Sequence, residues 1–150
     1  MSDSSLPLGH ILRKARRKDI WSIRLLVLSA KLDPTQIKWQ QFYLIEYQDK
    51  IIACAQLRHF SDAQEFGSLI VKKVWRNQGI GSYLVKHLVK QANKPLYLEC
   101  LGKELKRFYS QRGFVKVNYE NLPPSMQSKF KLSQLGKQLI GIPVTFMHHL

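Results

Sequence analysis

Val71-Lys-Lys-Val-Trp-Arg-Asn-Gln-Gly-Ile-Gly-Ser-Tyr-Leu84 decides the reading of this chain. It starts as the end of a strand, passes through a turn with Gly79 and Gly81, and becomes the first turn of an amphipathic helix. Glycines clear side chains from a place where a ligand can approach the backbone. The helix that follows aims its free N–H groups and its positive dipole end at the same turn, the arrangement that holds a pyrophosphate. Arg76, Lys72 and Lys73 add attraction for anions. A P-loop would need Lys-Ser or Lys-Thr after its second glycine, and Ser82-Tyr83 follow Gly81 instead. A dinucleotide fingerprint would need Gly or Ala where Leu84 stands. A plain glycine turn ahead of a helix is the remaining structural alternative.

Arg76-Asn77-Gln78-Gly79-Ile80-Gly81 fits the pattern Arg/Gln-x-x-Gly-x-Gly/Ala, which resembles the acetyl-CoA pyrophosphate loop of the GNAT superfamily of N-acetyltransferases. A second stretch, Leu105-Lys-Arg-Phe-Tyr-Ser-Gln-Arg-Gly-Phe114, resembles the second signature of that family, a helix carrying Phe-Tyr and then Gly-Phe entering a strand. Leu105, Phe108 and Tyr109 share a helical face by their spacing, and Gly113 is a natural helix stop. Between the two motifs, Leu96–Leu101 is an apolar run that suits a strand. The resemblance implies an α/β fold of the GNAT type. Its sheet is mixed and mostly antiparallel, flanked by helices, with a parallel, splayed pair formed by the strands ending at Val71 and starting at Leu96.

Composition is that of a folded chain. Its 150 residues predict one domain, with apolar and aromatic fractions sufficient for a core. No apolar run approaches the length of a membrane helix, and the opening Met-Ser-Asp-Ser-Ser-Leu-Pro lacks a secretion signal, so the expected location is cytoplasmic. Cys54 and Cys100 fall in predicted strands and are expected to be buried free thiols. Neither has a metal-ligand spacing with a histidine, and no metal site is predicted. The formal net charge is +14, with five basic residues among the six from Arg13 to Lys18. This excess suits an acidic partner, either a protein face or RNA and the ribosome. No RNA-binding sequence motif accompanies it.

Along the chain, Ile11–Arg17 is a first strand and Asp19 an N-cap for a helix over about 20–30, with Ile20, Ile23, Val27 and Ala30 on one face. Phe42–Tyr47 and Ile51–Leu57 read as a hairpin. Phe66–Val71 leads into the glycine turn, and Phe114–Val117 and Ile142–Met147 close the fold. A helix near 125–139, with Met126, Phe130, Leu135 and Leu139 to one side, is expected as an insertion that covers either the acceptor site or a sheet edge.

The resemblance also implies the chemistry. Acetyl-CoA is the expected acetyl donor, held along Leu69, Ile70 and Val71 and at Arg76, Asn77, Gln78, Gly79, Ile80, Gly81 and Ser82, mostly by backbone groups. A bulge in the preceding strand would let an N–H near Val71 polarise the thioester carbonyl. Tyr109 stands at the position of the family's general acid; the alternative is a core tyrosine. Glu65 is a candidate base. Even spacing puts it on one face with Val71 if no bulge intervenes. Glu46 and Glu99 are other carboxylates on predicted strands. The expected acceptor is a primary amine of a small molecule or protein, attacking directly in a ternary complex. The second reading is a GNAT-like binding module that acts on RNA or the ribosome through its basic surface. Two departures from the family stand out: Lys73 replaces a customary proline, and Gly102 replaces an asparagine seven positions before the motif tyrosine.

Overall fold

Apolar residues in two adjacent runs, β2 (Phe42–Tyr47) and β3 (Lys50–His59), build the hairpin on which the rest of the sheet grows. The connection is two residues long, Gln48 and Asp49, both with positive φ (49° and 62°), between the paired Tyr47 and Lys50. Positive φ at both central residues matches the right-handed twist of the strands. The computed structural model describes residues 5–150, so the first four residues of the opening stretch read as lacking a secretion signal lie outside the described residues.

The remaining elements are β1 (His10–Lys14), α1 (Ile20–Ser29), β4 (Gln64–Val71), α2 (Ile80–Gln91), β5 (Leu96–Leu101), α3 (Lys103–Ser110), β6 (Phe114–Lys116), α4 (Pro124–Lys129), α5 (Lys131–Ile140) and β7 (Val144–His149). The seven strands hydrogen-bond in the order β1-β2-β3-β4-β5-β7-β6. The β1–β2, β2–β3, β5–β7 and β6–β7 pairs are antiparallel. The β4–β5 pair is parallel, as a helical crossover through α2 requires. Its ladder comprises Gln64 opposite Leu96 and Glu65 opposite Tyr97, and both strands run on beyond it.

By its internal contacts the chain forms two compact units: the part up to Leu57 with Gly67–Lys90, and Arg58–Phe66 with Gln91–Leu150. In the first, α1 buries Ile23, Leu26 and Val27 against Phe42, Leu44, Cys54 and Ile70. Of the residues expected to share one face, Ile23 and Val27 are buried, Ile20 is half-buried and Ala30 is exposed. Asp19 stands at the N-cap of α1, as expected, but its side chain makes no cap hydrogen bond to that helix. Its carboxylate accepts the Arg16 N–H (2.6 Å) and a fork from Arg13 (2.7 and 2.9 Å), whose Nε also reaches Glu46 (2.7 Å). Arg13 holds the Asp19 carboxyl below the usual range, because the ionised form keeps these bonds.

In the second unit, Ala63, Leu122, Met126, Phe130, Val144 and Phe146 form the core, with the rings of Phe130 and Phe146 stacked at 5.4 Å. The single helix expected near 125–139 is two, broken at Phe130 (φ −98°, ψ 9°). Met126 and Phe130 are fully buried, whereas Leu135 and Leu139 are exposed. The reason lies in the pattern: the face that carries Met126 and Phe130 continues with Ser133 and Lys137, so the later leucines turn away from it. Cys54 and Cys100 are buried free thiols, as expected.

Candidate active site

The glycine turn belongs to the first unit. Val71 ends β4, a single 3₁₀ turn occupies Lys73–Trp75, and Arg76 returns to extended backbone. Asn77 then takes φ 63° and Gly79 φ 78°, and α2 begins at Ile80. Two left-handed residues in three turn the chain sharply into the helix, so the first N–H groups of α2 point back across the turn. A Cβ built on Gly79 would meet nothing within 4 Å, which leaves open space above that residue. Arg76 donates from Nε to the Val71 carbonyl (2.9 Å), tying the turn to the strand end. Lys72, Lys73 and Gln78 stay exposed. The expected run Arg76–Ser82 is therefore continuous backbone at a helix start, the chemistry that suits a pyrophosphate.

Ser68, inside β4, has φ 51°. A left-handed residue within a strand breaks the pleat as a bulge does. Its carbonyl accepts from Cys54 Sγ (3.4 Å) and its hydroxyl donates to Gln56 (3.2 Å), itself bonded to Gln41 (3.0 Å). Burial pushes the Cys54 thiol up to about 12, so it is a packing group rather than a nucleophile. With Ser68 off the regular pleat, even spacing no longer places Glu65 and Val71 on one face.

The other nominated residues lie in the second unit. Tyr109 is buried on α3 among Phe66 (5.9 Å), Phe108 (5.1 Å) and Phe114 (5.7 Å). Leu105, expected on the same face, is exposed. Burial raises the Tyr109 phenol well above its ordinary value, with Cys100 adding to the rise and Arg112 opposing it. The phenol therefore holds its proton across the physiological range. Gly102 has φ 86° and ψ 166°, a region essentially closed to residues with a side chain. An asparagine held at these angles would be strained.

Glu65 is 3% exposed and sits between two cations, Arg58 (3.1 Å) and Lys129 (3.6 Å). Glu99 belongs to the same cluster. Ser133 hydrogen-bonds its carboxyl, and Glu65, Lys129 and Arg58 all act on its charge. Burial raises the Glu99 carboxyl above the usual glutamate value. Arg58, Lys129 and Ser133 were not nominated from the sequence. Arg58 lay one residue past the predicted end of its strand, and Lys129 and Ser133 reach the sheet through helices read as one. The alternation Gln56, Arg58 on β3 was the available signal. Glu46, the remaining carboxylate, belongs to the Arg13–Asp19 network. Among the described residues no group of His, Cys, Asp and Glu is arranged to hold a metal ion.

These features place the chain in a known class. The Acetyltransferase (GNAT) domain family matches residues 38–116. The chain is 31% identical over 108 residues to an amino-acid acetyltransferase of Shewanella oneidensis, covering 69% of this chain and 24% of that protein. A Buchnera aphidicola amino-acid acetyltransferase is 30% identical, covering 73% of this chain and 25% of that protein. The chain belongs to the GNAT acetyltransferase family. It spans about a quarter of the length of these curated relatives.

Solved structures agree on the fold. An N-acetylglutamate synthase of Neisseria gonorrhoeae, complexed with coenzyme A and N-acetyl-glutamate, superposes with a TM-score of 0.76 at 18% identity, covering 97% of this chain and 36% of that one. Rv2747 of Mycobacterium tuberculosis, in complex with CoA and NLQ, gives 0.73 at 19% identity, covering 93% and 98%.

Proposed function

We propose that this protein is an acetyl-CoA-dependent N-acetyltransferase whose acceptor is the amino group of a free amino acid. The observation that carries the donor half is the turn at Arg76–Ser82, with its left-handed Asn77 and Gly79 opening directly into α2. Backbone N–H groups from Gln78 to Ser82 would hold the CoA pyrophosphate, and Leu69, Ile70 and Val71 would accompany the pantetheine arm. The names of the relatives carry the acceptor half, since both proteins above are amino-acid acetyltransferases.

Tyr109 is proposed as the proton donor to the departing CoA sulfur. A phenol that stays neutral can place its O–H where thiolate charge develops. The carboxylate cluster around Glu65 is proposed to accept the amine proton. Attack is direct, because the buried Cys54 lacks the electropositive setting that makes a thiol nucleophilic. The test is release of CoA thiol from acetyl-CoA in the presence of the twenty standard amino acids, with mass spectrometry of the product. Turnover with one or a few of them is the expected result. No turnover with any amino acid removes the acceptor assignment. Gly81→Val should abolish acetyl-CoA binding by calorimetry while the circular dichroism spectrum is kept, and unchanged affinity in that folded variant would refute the donor placement.

The net charge of +14 favours a second reading, a binding module for RNA or another acidic partner with cytoplasmic duties. Salt-sensitive RNA binding without acetyl-CoA turnover would select it.

A further inference from the structure

We infer that the outer face of α1 lies on an anionic lipid bilayer, with Trp21, Leu25 and Leu28 entering the interface and the neighbouring cations meeting the phosphate headgroups. The contact is peripheral, since the ten residues of α1 reach only about 15 Å, half of what a span needs. Neither it nor acetyl transfer depends on the other.

The helix is apolar on two sides. Ile23, Leu26 and Val27 fill the core beneath it. Trp21, Leu25 and Leu28 follow one another at i, i+4 and i+7, so they form a second stripe on the side away from that core. They are 69%, 68% and 57% exposed, and Leu32, just past the helix end, is 41% exposed. Arg24 is the one charged residue of the helix. A helix that is apolar all round is normally covered all round, and a contiguous exposed apolar patch marks an interaction surface.

Charge selects the occupant. Between Arg13 and Leu32 the only acid is Asp19, which is buried and tied to Arg13 at 2.7 Å. Arg16, Arg17 and Lys18, a basic run that the cofactor site does not use, are exposed just before the helix, and Lys31 is exposed just after it. Arg24 sits over the Trp21 ring, 4.9 Å from its centre. Leu25 also lines an open cleft of about 790 Å³ together with Leu26, Ile51, Lys18, Lys50 and Lys72. The carboxylates of that cleft are Asp19, Glu46 and Asp49, and Arg13 holds the first two. A lipid phosphate with its acyl chains matches this pairing of ammonium groups and apolar side chains.

A stripe of Trp and Leu with cationic flanks is the composition of helices that lie in the plane of a bilayer. There an indole sits at headgroup depth, and Lys and Arg stems run along the apolar surface to reach the phosphates. A second copy of this chain fits poorly. A two-fold contact sets the same patch against itself, cation facing cation, with no exposed acid between Arg13 and Leu32 to pair them. RNA would meet the cations and leave the leucines in water.

The experiment measures co-sedimentation of the full chain with vesicles of phosphatidylcholine alone or mixed with phosphatidylglycerol, and quenching of tryptophan fluorescence by brominated lipids in the same mixture. Binding should appear on the mixed vesicles only. It should weaken several-fold as the screening length falls from about 10 Å at 0.1 M salt to about 3 Å at 1 M. The double substitution Leu25→Gln, Leu28→Gln should lower the partition coefficient about 10- to 100-fold. Its thermal midpoint should hold, because both side chains face solvent in the free protein. Trp21→Phe should remove the quenching by brominated lipid, although Trp39 and Trp75 remain. No binding to mixed vesicles overturns the assignment, and so does unchanged partition in the folded double variant. Quenching that survives Trp21→Phe gives the contact to another face and overturns it as well. Binding to polyglutamate or single-stranded RNA with vesicles left unbound, or self-association that the double variant abolishes with vesicles left unbound, gives this face to another occupant and is equally fatal.

Discussion

Tyr109 shows how far a single residue could be read. The second motif singled it out, and α3 delivers it buried on a sheet face lined by Phe66 and Phe114. Replacing it with phenylalanine keeps those ring contacts and removes only the hydroxyl. We expect Tyr109→Phe to hold its thermal midpoint and acetyl-CoA affinity while kcat falls toward the low end of the 10²–10⁴-fold range typical of a general acid. Near-normal kcat at saturating substrates would make it a packing residue. Gly102 makes the complementary case. Its φ of 86° and ψ of 166° admit little besides glycine, although a Cβ there would meet nothing within 4 Å. Gly102→Asn should therefore cost about 1–3 kcal/mol from backbone strain alone, measured by urea titration. A neutral result would mean the backbone readily takes another course. The cluster around Glu65 was less legible than either. Its members, Arg58, Glu65, Glu99, Lys129 and Ser133, are brought together by sheet register and by a helix break, neither of which local spacing encodes.

At the scale of elements, regular pieces were readable where one periodicity held over the whole piece. β5 occupies Leu96–Leu101, as expected from its flanking Pro95 and Gly102. The helix near 125–139 failed because its apolar residues belong to two faces, and only the Met126–Phe130 face finds a core. The β2–β3 hairpin was legible as such, but its turn chemistry was not. Gln48 and Asp49 carry positive φ, a geometry that Asn-Gly adopts at far less strain. The double substitution Gln48→Asn, Asp49→Gly should raise stability by about 0.5–2 kcal/mol, seen as a higher urea midpoint with an unchanged slope. A loss of stability would show that the native side chains support the turn in another way.

At the scale of the molecule, charge is the dominant unspent quantity. The formal net charge of +14 sets basic groups against one another throughout the folded chain. Such self-repulsion weakens as the screening length falls from about 30 Å at 0.01 M salt to about 10 Å at 0.1 M. The thermal midpoint should therefore rise across that range of sodium chloride, in the absence of phosphate or nucleotide. A falling midpoint would show that attractive pairs such as Arg13–Asp19 outweigh the repulsion. Among the described residues no helix is long and apolar enough to cross a membrane. The sign and size of the charge were plain from composition, but the partner it serves was not, because charge alone attracts many anions equally.

Ser68 restricts which proteins can descend from this one. Its φ of 51° sits in the middle of β4, where β-branched residues would ordinarily be favoured. If this codon is randomised and folded clones are collected, glycine, asparagine and aspartate should join serine among the survivors, while valine and isoleucine drop out. A strand that counts as β in every other respect would then carry the substitution profile of a turn at one position.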